Sequence, residues 1–273
     1  MRLSFSKYDT YLKCPRQYKY KLDGVEPAEE ESKYFALFGI LIQRFFQDYV
    51  NIMLPKKYPI TDNFVRAYLD KLWKKILEKE YVNWNDPWVK ETPGQIFEQA
   101  YIDVLENIKA FPLFSECRSE VTIDIKLKKS GDQLNGRLDF IRTCPDKSIE
   151  ILDGKSTAHL ERVDVEQLYF YSLLYFLKHN VLPKRLGFLF YRYRTIQYID
   201  FNPDILIKFK NKLALAKEAI KKDKEFKATV KLSKVCVWCP YKLICKPCLE
   251  KKAANSEKRS KIKEETNGEI ISL

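Results

Sequence analysis

Gly136-Arg137-Leu138-Asp139-Phe140-Ile141-Arg142-Thr143, then Cys144-Pro145-Asp146-Lys147, then Ile149-Glu150-Ile151-Leu152-Asp153-Gly154-Lys155 is the stretch on which the architecture turns. Its two outer pieces are short and β-prone, and the middle piece has turn chemistry, so the spacing predicts an antiparallel hairpin. Side chains alternate along a strand, which places Asp153 and Lys155 on one face. If the strands pair, Asp139 reaches that face too. Two carboxylates and an ammonium then surround one small volume, suited to a divalent cation and a water. Asp139 and Asp153 would hold Mg²⁺ or Mn²⁺, with the Gly154 backbone carbonyl as a further ligand. Lys155 would orient the water.

Working outward, Glu120–Leu127 reads as a strand before Ser130-Gly131-Asp132, and residues 163–179 read as a helix. Arg185–Tyr193 and Thr195–Phe201 read as two more strands, followed by a helix over Pro203–Lys222. Upstream, residues 4–22 carry a helical pattern interrupted at Cys14-Pro15, and Phe35–Tyr49 carries another. Helix-spaced apolar residues over Thr61–Tyr81 and Gly94–Phe111 predict a helical insert from about residue 55 to 115. The order is that of an α/β chain, α+β-like, with a central mixed five-stranded sheet flanked by helices. One domain is expected over residues 1–249. Residues 250–273 are lysine-rich and lack apolar periodicity, which predicts a mobile, solvated tail.

The 273 residues are long enough for a sizeable core, and 49 basic against 37 acidic residues give a formal charge of +12. Such an excess favours an anionic polymer over a small neutral substrate, without separating DNA, RNA and membrane surfaces. No stretch at the start has signal-peptide character, and no uncharged run is long enough to cross a bilayer. The expectation is an intracellular, cytoplasmic protein, acting in a host cytoplasm if virus-encoded, with no membrane partner.

Seven cysteines in that compartment read as metal ligands before disulfides. Cys236, Cys239 and Cys245 are tightly spaced, and Cys14 could complete an iron-sulfur set. The local competitor is a zinc knuckle using Cys248 instead of Cys14, which would accompany an RNA-binding role. Cys117 and Cys144 fall at strand margins and read as unliganded. Gln167 and Tyr171, four apart, share one helix face. Tyr191-Arg192-Tyr193-Arg194 combines rings and guanidinium groups in the manner of a single-strand binder, or forms a strand with one solvated face.

Taken together, Ser4-x-Ser6-x4-Tyr11-x2-Cys14-Pro15, Gly39 with its helix, Gly136-x2-Asp139, Asp153-x-Lys155, Gln167-x3-Tyr171 and Cys236-x2-Cys239-Pro240-x4-Cys245 resemble the PD-(D/E)XK superfamily. The likeness is to its RecB-like iron-sulfur branch, typified by CRISPR-associated RecB-like exonucleases and the AddB nuclease domain. It implies a restriction-endonuclease-like core and metal-dependent cleavage of DNA, single-stranded or at ends, in recombination, repair, viral replication or CRISPR adaptation. It also implies that Gln167 and Tyr171 lie beside the active site. A 4Fe-4S cluster on Cys14, Cys236, Cys239 and Cys245 would tie the two ends of the chain together. Helicase, recombinase or CRISPR-adaptation partners are the corresponding expectation. One departure stands out: the family's G-x3-H histidine is Gln43 here. Its amide is either a weak oxygen ligand or a polar neighbour of a metal held by two aspartates, and in a decayed site the chain would serve as a DNA-binding scaffold.

Overall fold

The computed structural model describes residues 1–27, 34–87, 89–128, 130–157, 161, 163–232 and 235–257. In chain order its elements are β1 (Arg2–Leu3), α1 (Phe5–Lys13), α2 (Pro15–Leu22), α3 (Tyr34–Asp48), α4 (Asp62–Lys79), α5 (Pro93–Ala110), β2 (Cys117–Lys126), β3 (Gln133–Thr143), β4 (Ile149–Lys155), α6 (Val165–His179), β5 (Arg185–Phe190), β6 (Thr195–Ile199) and α7 (Pro203–Lys222). The ends of the long helices are set locally. Thr61 accepts from the Phe64 N–H, and Asp164 accepts from the Glu166 N–H. Thr92 and Gln95 form a reciprocal capping box ahead of Pro93, which satisfies otherwise orphaned first-turn N–H groups.

The chain separates into two compact units, Met1–Phe5 with Ser32–Leu213, and Ser6–Glu31 with Ala214–Leu273. The first carries the sheet, in the order β1-β3-β4-β5-β6 with β2 also paired to β3. The sheet has six strands rather than the expected five. The extra one, β1, pairs in parallel with Gln133 and Leu134, and two residues are too few to show a periodicity. β2, β3 and β4 run antiparallel in sequence. β4 and β5 are parallel, joined through α6, and β6 returns antiparallel.

β4 and β5 are covered on both faces, as central strands with a parallel connection usually are. Leu152, Leu189 and Phe140 join a buried cluster with α3, α4 and α5 that includes Phe45, Phe46, Val65, Leu69, Ala100, Val104 and Phe114. Each large side chain buried there contributes roughly 2 kcal/mol. Helix α6 covers the opposite face, burying Leu168, Phe170 and Leu174.

Strand alternation breaks once, and the break shapes the site. Gly136 and Phe140 are four apart and should share a face. Yet a Cβ on Gly136 would meet Leu174 and Tyr171 of α6, whereas Phe140 packs on Phe114 in the α3–α5 cluster. Opposite this switch Glu120 takes a left-handed backbone, φ +56°, costly for a residue with a Cβ. The register is the same on either side, Ser119 with Phe140 and Val121 with Leu138. The strands therefore turn over at Glu120 and Asp139 without an inserted residue.

In the second unit, Tyr11 packs edge-on against Tyr18 and Phe226 and donates its hydroxyl to Asp223 at 2.9 Å. Cys14 stands at the N-cap of α2 ahead of Pro15. Residues 246–257 are helical, so the first part of the segment expected as a solvated tail, from residue 250, has regular backbone. Lysines and glutamates sustain a helix without an apolar stripe when the preceding segment starts it. The remainder of that expected tail, 258–273, lies outside the described residues. No helix among the described residues is long and apolar enough to cross a membrane.

Candidate active site

Where β3 turns over, the Asp139 carboxylate accepts the Gly154 N–H at 2.9 Å through Oδ2, while Gln43 Nε2 on α3 lies 3.4 Å from Oδ1. The same amide nitrogen donates to Glu120 Oε1 at 2.9 Å. Glu120 Oε2 is ion-paired with Arg137 Nε at 2.5 Å, the glutamate side chain 8% and the arginine 65% exposed. On β4, Asp153 Oδ2 is 2.5 Å from Lys155 Nζ. Lys155 donates to Gln167 Oε1 at 2.8 Å, and Gln167 Nε2 donates to the Tyr171 hydroxyl at 3.0 Å. The expected residues Asp139, Asp153, Lys155, Gln167, Tyr171 and Gln43 thus form one connected group within the sheet-bearing unit.

The electrostatics are those of too much buried negative charge. Burial raises the Asp139 pKa well above the usual carboxylate range, and repulsion from Asp153 and Glu120 adds to this against the Gly154 N–H and Lys155. Asp153 is raised as well, by burial, with Lys155 opposing. Tyr171 is pushed up by burial and by the Asp153 charge, so its hydroxyl stays protonated. Glu120 Oε2 and Asp153 Oδ2 lack an aligned hydrogen bond despite their ion pairs. Added positive charge would relieve every one of these conditions, and hard carboxylate oxygens are the donors that Mg²⁺ and Mn²⁺ take. Among the described residues, however, no three or more His, Cys, Asp or Glu side chains are grouped so as to hold a metal ion as they stand.

Two findings alter the sequence reading. Glu120 belongs to the acidic group and was not anticipated. β2 carries Glu120 and Asp124 at equivalent spacing, and only the register opposite Asp139 distinguishes them; Asp124 bonds Arg2 instead. Second, Tyr191-Arg192-Tyr193-Arg194 is not an exposed strand. Residues 191–193 form a short 3₁₀ turn closed by Arg194 at φ +50°. Tyr191 is 2% exposed and its ring lies parallel to Phe46, which removes it as a platform for a base. Arg194 pairs with buried Asp103 at 3.2 Å. Arg192 lies over the Phe38 ring and donates to the Ser156 carbonyl at 3.3 Å. Tyr193 is half exposed.

In the second unit Cys14, Cys236, Cys239, Cys245 and Cys248 all line one cavity, together with Tyr20 and Val230. The Thr229 N–H approaches Cys14 Sγ at 3.4 Å. Burial, then the neighbouring thiols, raise the pKa of Cys239 despite the Tyr241 N–H. Burial and a bond to Cys236 raise that of Cys248 to about 11. Cys117 and Cys144 take no part in this cavity.

No curated protein matches the chain. Among solved structures, a proposed exonuclease from Eubacterium rectale is 15% identical over 81% of this chain and 80% of its own, with a TM-score of 0.47. The protein SSO0001 is 10% identical over 89% and 85% of the two chains, with a TM-score of 0.37. The family model described as the PD-(D/E)XK nuclease superfamily matches residues 2–246, which includes Asp139, Asp153 and Lys155 on their paired strands. The chain belongs to the PD-(D/E)XK nuclease superfamily.

Proposed function

We propose that the protein is a metal-dependent DNA exonuclease acting on single strands or DNA ends. The observation that carries this reading is the meeting of Asp139, Asp153 and Lys155, extended by Gln167 and Tyr171, around a buried excess of negative charge. Superfamily membership supports a nuclease using Mg²⁺ or Mn²⁺. The cation, when bound, supplies charge neutralisation at the phosphate and a water of lowered pKa. Asp139, Asp153 and the Gly154 carbonyl would hold it. Lys155, now bonded to Asp153 and Gln167, directs its ammonium protons to the attacking water. Gln167 and Tyr171 fix Lys155 from α6. Arg137, exposed at its outer end, is placed to meet a phosphate.

The Gln43 amide has its nitrogen toward two carboxylates, the assignment that acids on both sides favour. To ligate a cation through oxygen, the amide would have to turn over. This favours a second reading, a weakly active or inactive DNA-binding scaffold subunit.

The cysteine cavity supports the 4Fe-4S assignment on Cys14, Cys236, Cys239 and Cys245. Cys14 lies with the C-terminal thiols rather than apart from them, and a cluster of soft thiolates suits iron-sulfur chemistry. Recombination, repair, viral replication and CRISPR adaptation are the settings such a nuclease serves, with a helicase, recombinase or adaptation protein as partner.

Anaerobically purified protein incubated with end-labelled single- and double-stranded DNA, in Mg²⁺, Mn²⁺ or EDTA, tests the proposal. Divalent-dependent release of end nucleotides, abolished by Asp153→Ala, is the expected result. DNA binding without cleavage in any metal would establish the scaffold reading instead. Zinc without iron or labile sulfide would replace the cluster assignment.

A further inference from the structure

Tyr191 has no role in the sequence reading once its ring is buried, yet its hydroxyl is a buried donor left unmatched under Gly154, the residue bonded to Asp139. It is fully enclosed and takes no hydrogen bond, and a lone buried hydroxyl is costly. Its position is fixed from three sides. The ring is stacked on Phe46 at 5.3 Å with 2° between planes, and the main-chain carbonyl accepts from Asn107 Nδ2 at 2.8 Å. The hydroxyl lies so close under Gly154 that a Cβ there would come within 2.3 Å of it. Gly154 is the residue whose N–H binds Asp139. The charges of Asp139, Asp153 and Glu120 all act on the phenol after burial, keeping it protonated and a donor. Glu120 and Asp153 are engaged by Arg137 and Lys155, which leaves Asp139, held by the Gly154 N–H and approached by Gln43 of α3, as the carboxylate on this side of β4. A buried donor that reaches no acceptor directly is the complement of a bridging water, which accepts from the phenol and donates to a carboxylate.

We propose that Tyr191 is a positioning residue: its hydroxyl donates to a buried water that bonds the Asp139 carboxylate and holds it in the geometry that receives the divalent cation. The inference rests on the cation-binding reading above. Tyr191 approaches from the end of β5 and contacts neither substrate nor cation.

Outer groups that orient metal ligands typically cost 10- to 100-fold in metal affinity when removed. In the intact chain, Tyr191→Phe keeps the Phe46 stack and should weaken Mn²⁺ binding, read by electron paramagnetic resonance without DNA, by about 10-fold. Asp139→Asn is run in parallel. Loss of Mn²⁺ binding in Asp139→Asn with wild-type affinity in Tyr191→Phe would overturn the Tyr191 proposal alone. Wild-type affinity in both would overturn the cation site and this proposal with it. A second measurement avoids mutation of the shape: 3-fluorotyrosine at position 191 should show a ¹⁹F shift on adding Mg²⁺, absent in Asp139→Asn. A resonance indifferent to Mg²⁺ in the otherwise native chain would also overturn the assignment.

Discussion

Gly154→Ala offers a direct test of the packing that supports the acidic group. The new Cβ would stand 2.3 Å from the Tyr191 hydroxyl, 2.9 Å from Cζ and 3.0 Å from Cε2, all inside van der Waals contact. The phenol cannot swing aside, because its ring is stacked on Phe46, Phe46 is stacked in turn on Phe114 at 4.7 Å, and Asn107 holds the Tyr191 main chain. The strand must yield, which lifts the Gly154 N–H from Asp139. Overpacking of this kind costs about 1–3 kcal/mol. At roughly 2–4 °C per kcal/mol for a unit of this size, melting should fall by about 2–12 °C. Tyr191→Phe removes the shortest contact but leaves the ring carbons, so the same glycine substitution in that background should cost about 1 kcal/mol less, a coupling expected of touching residues. Far-UV circular dichroism melts of the four proteins measure it. A Gly154→Ala protein that melts with the wild type, or a penalty identical in both backgrounds, would refute the reasoning.

Other outcomes follow from the same structure. Glu150, 1% exposed, accepts from Arg142 at 3.0 Å, from Arg185 and from the Tyr198 hydroxyl at 3.2 Å. Burial favours its neutral form, but Arg185 and Arg142 outweigh burial and hold its pKa below the usual glutamate value. Its stabilisation is therefore present above the unfolded-state pKa of about 4.3 and lost as pH falls through the lower folded value. Glu150→Gln should cost about 3 kcal/mol near neutrality and flatten the acid limb of a melting-temperature profile against pH. Gln43→His exchanges an amide donor for a titratable nitrogen ligand and should tighten Mn²⁺ binding by about 10-fold, read by calorimetry; unchanged affinity would place residue 43 outside the metal's reach. Cys14→Ser should abolish bound iron and labile sulfide in anaerobic preparations, whereas Cys248→Ser should retain both. The reverse pattern would make Cys248 the fourth ligand.

Much of the sheet was readable because its signals are local. Period-two runs bounded by Ser130-Gly131-Asp132 and Cys144-Pro145-Asp146-Lys147 define β2, β3 and β4 within a few residues, and Pro93 with Thr92 and Gln95 marks a helix start by chemistry confined to four positions. What escaped depends on register. Glu120 looks like the opening of a strand until the pairs on either side of it, Ser119 with Phe140 and Val121 with Leu138, set it opposite Asp139, and its left-handed backbone leaves no trace in residue type, since a glycine would have been the usual signal. The unit built from Ser6–Glu31 and Ala214–Leu273 leaves one trace in the sequence, the Cys14, Cys236, Cys239 and Cys245 thiols expected to tie the two ends together; its other contacts join halves too far apart in sequence for any local signal.

Tyr191, expected on a base-stacking segment or on a strand with one solvated face, is buried for a more instructive reason. Rings interleaved with basic residues suit a surface that stacks bases, but that pattern is informative only where one face of the strand meets solvent. β5 pairs in parallel with β4, and strands so placed are buried on both sides. Alternation from Leu189, a member of the α3–α5 cluster, carries Tyr191 into that cluster as well. The parallel crossover through α6 follows from the strand-helix-strand order, and the burial of Tyr191 follows from that crossover. The place of its hydroxyl does not. That a phenol at the end of β5 would lie under the glycine between Asp153 and Lys155 requires the stagger of two strands to be known to within one residue. A single-residue slip would turn the same side chain to the α6 face, away from Gly154 and the Asp139 carboxylate it holds.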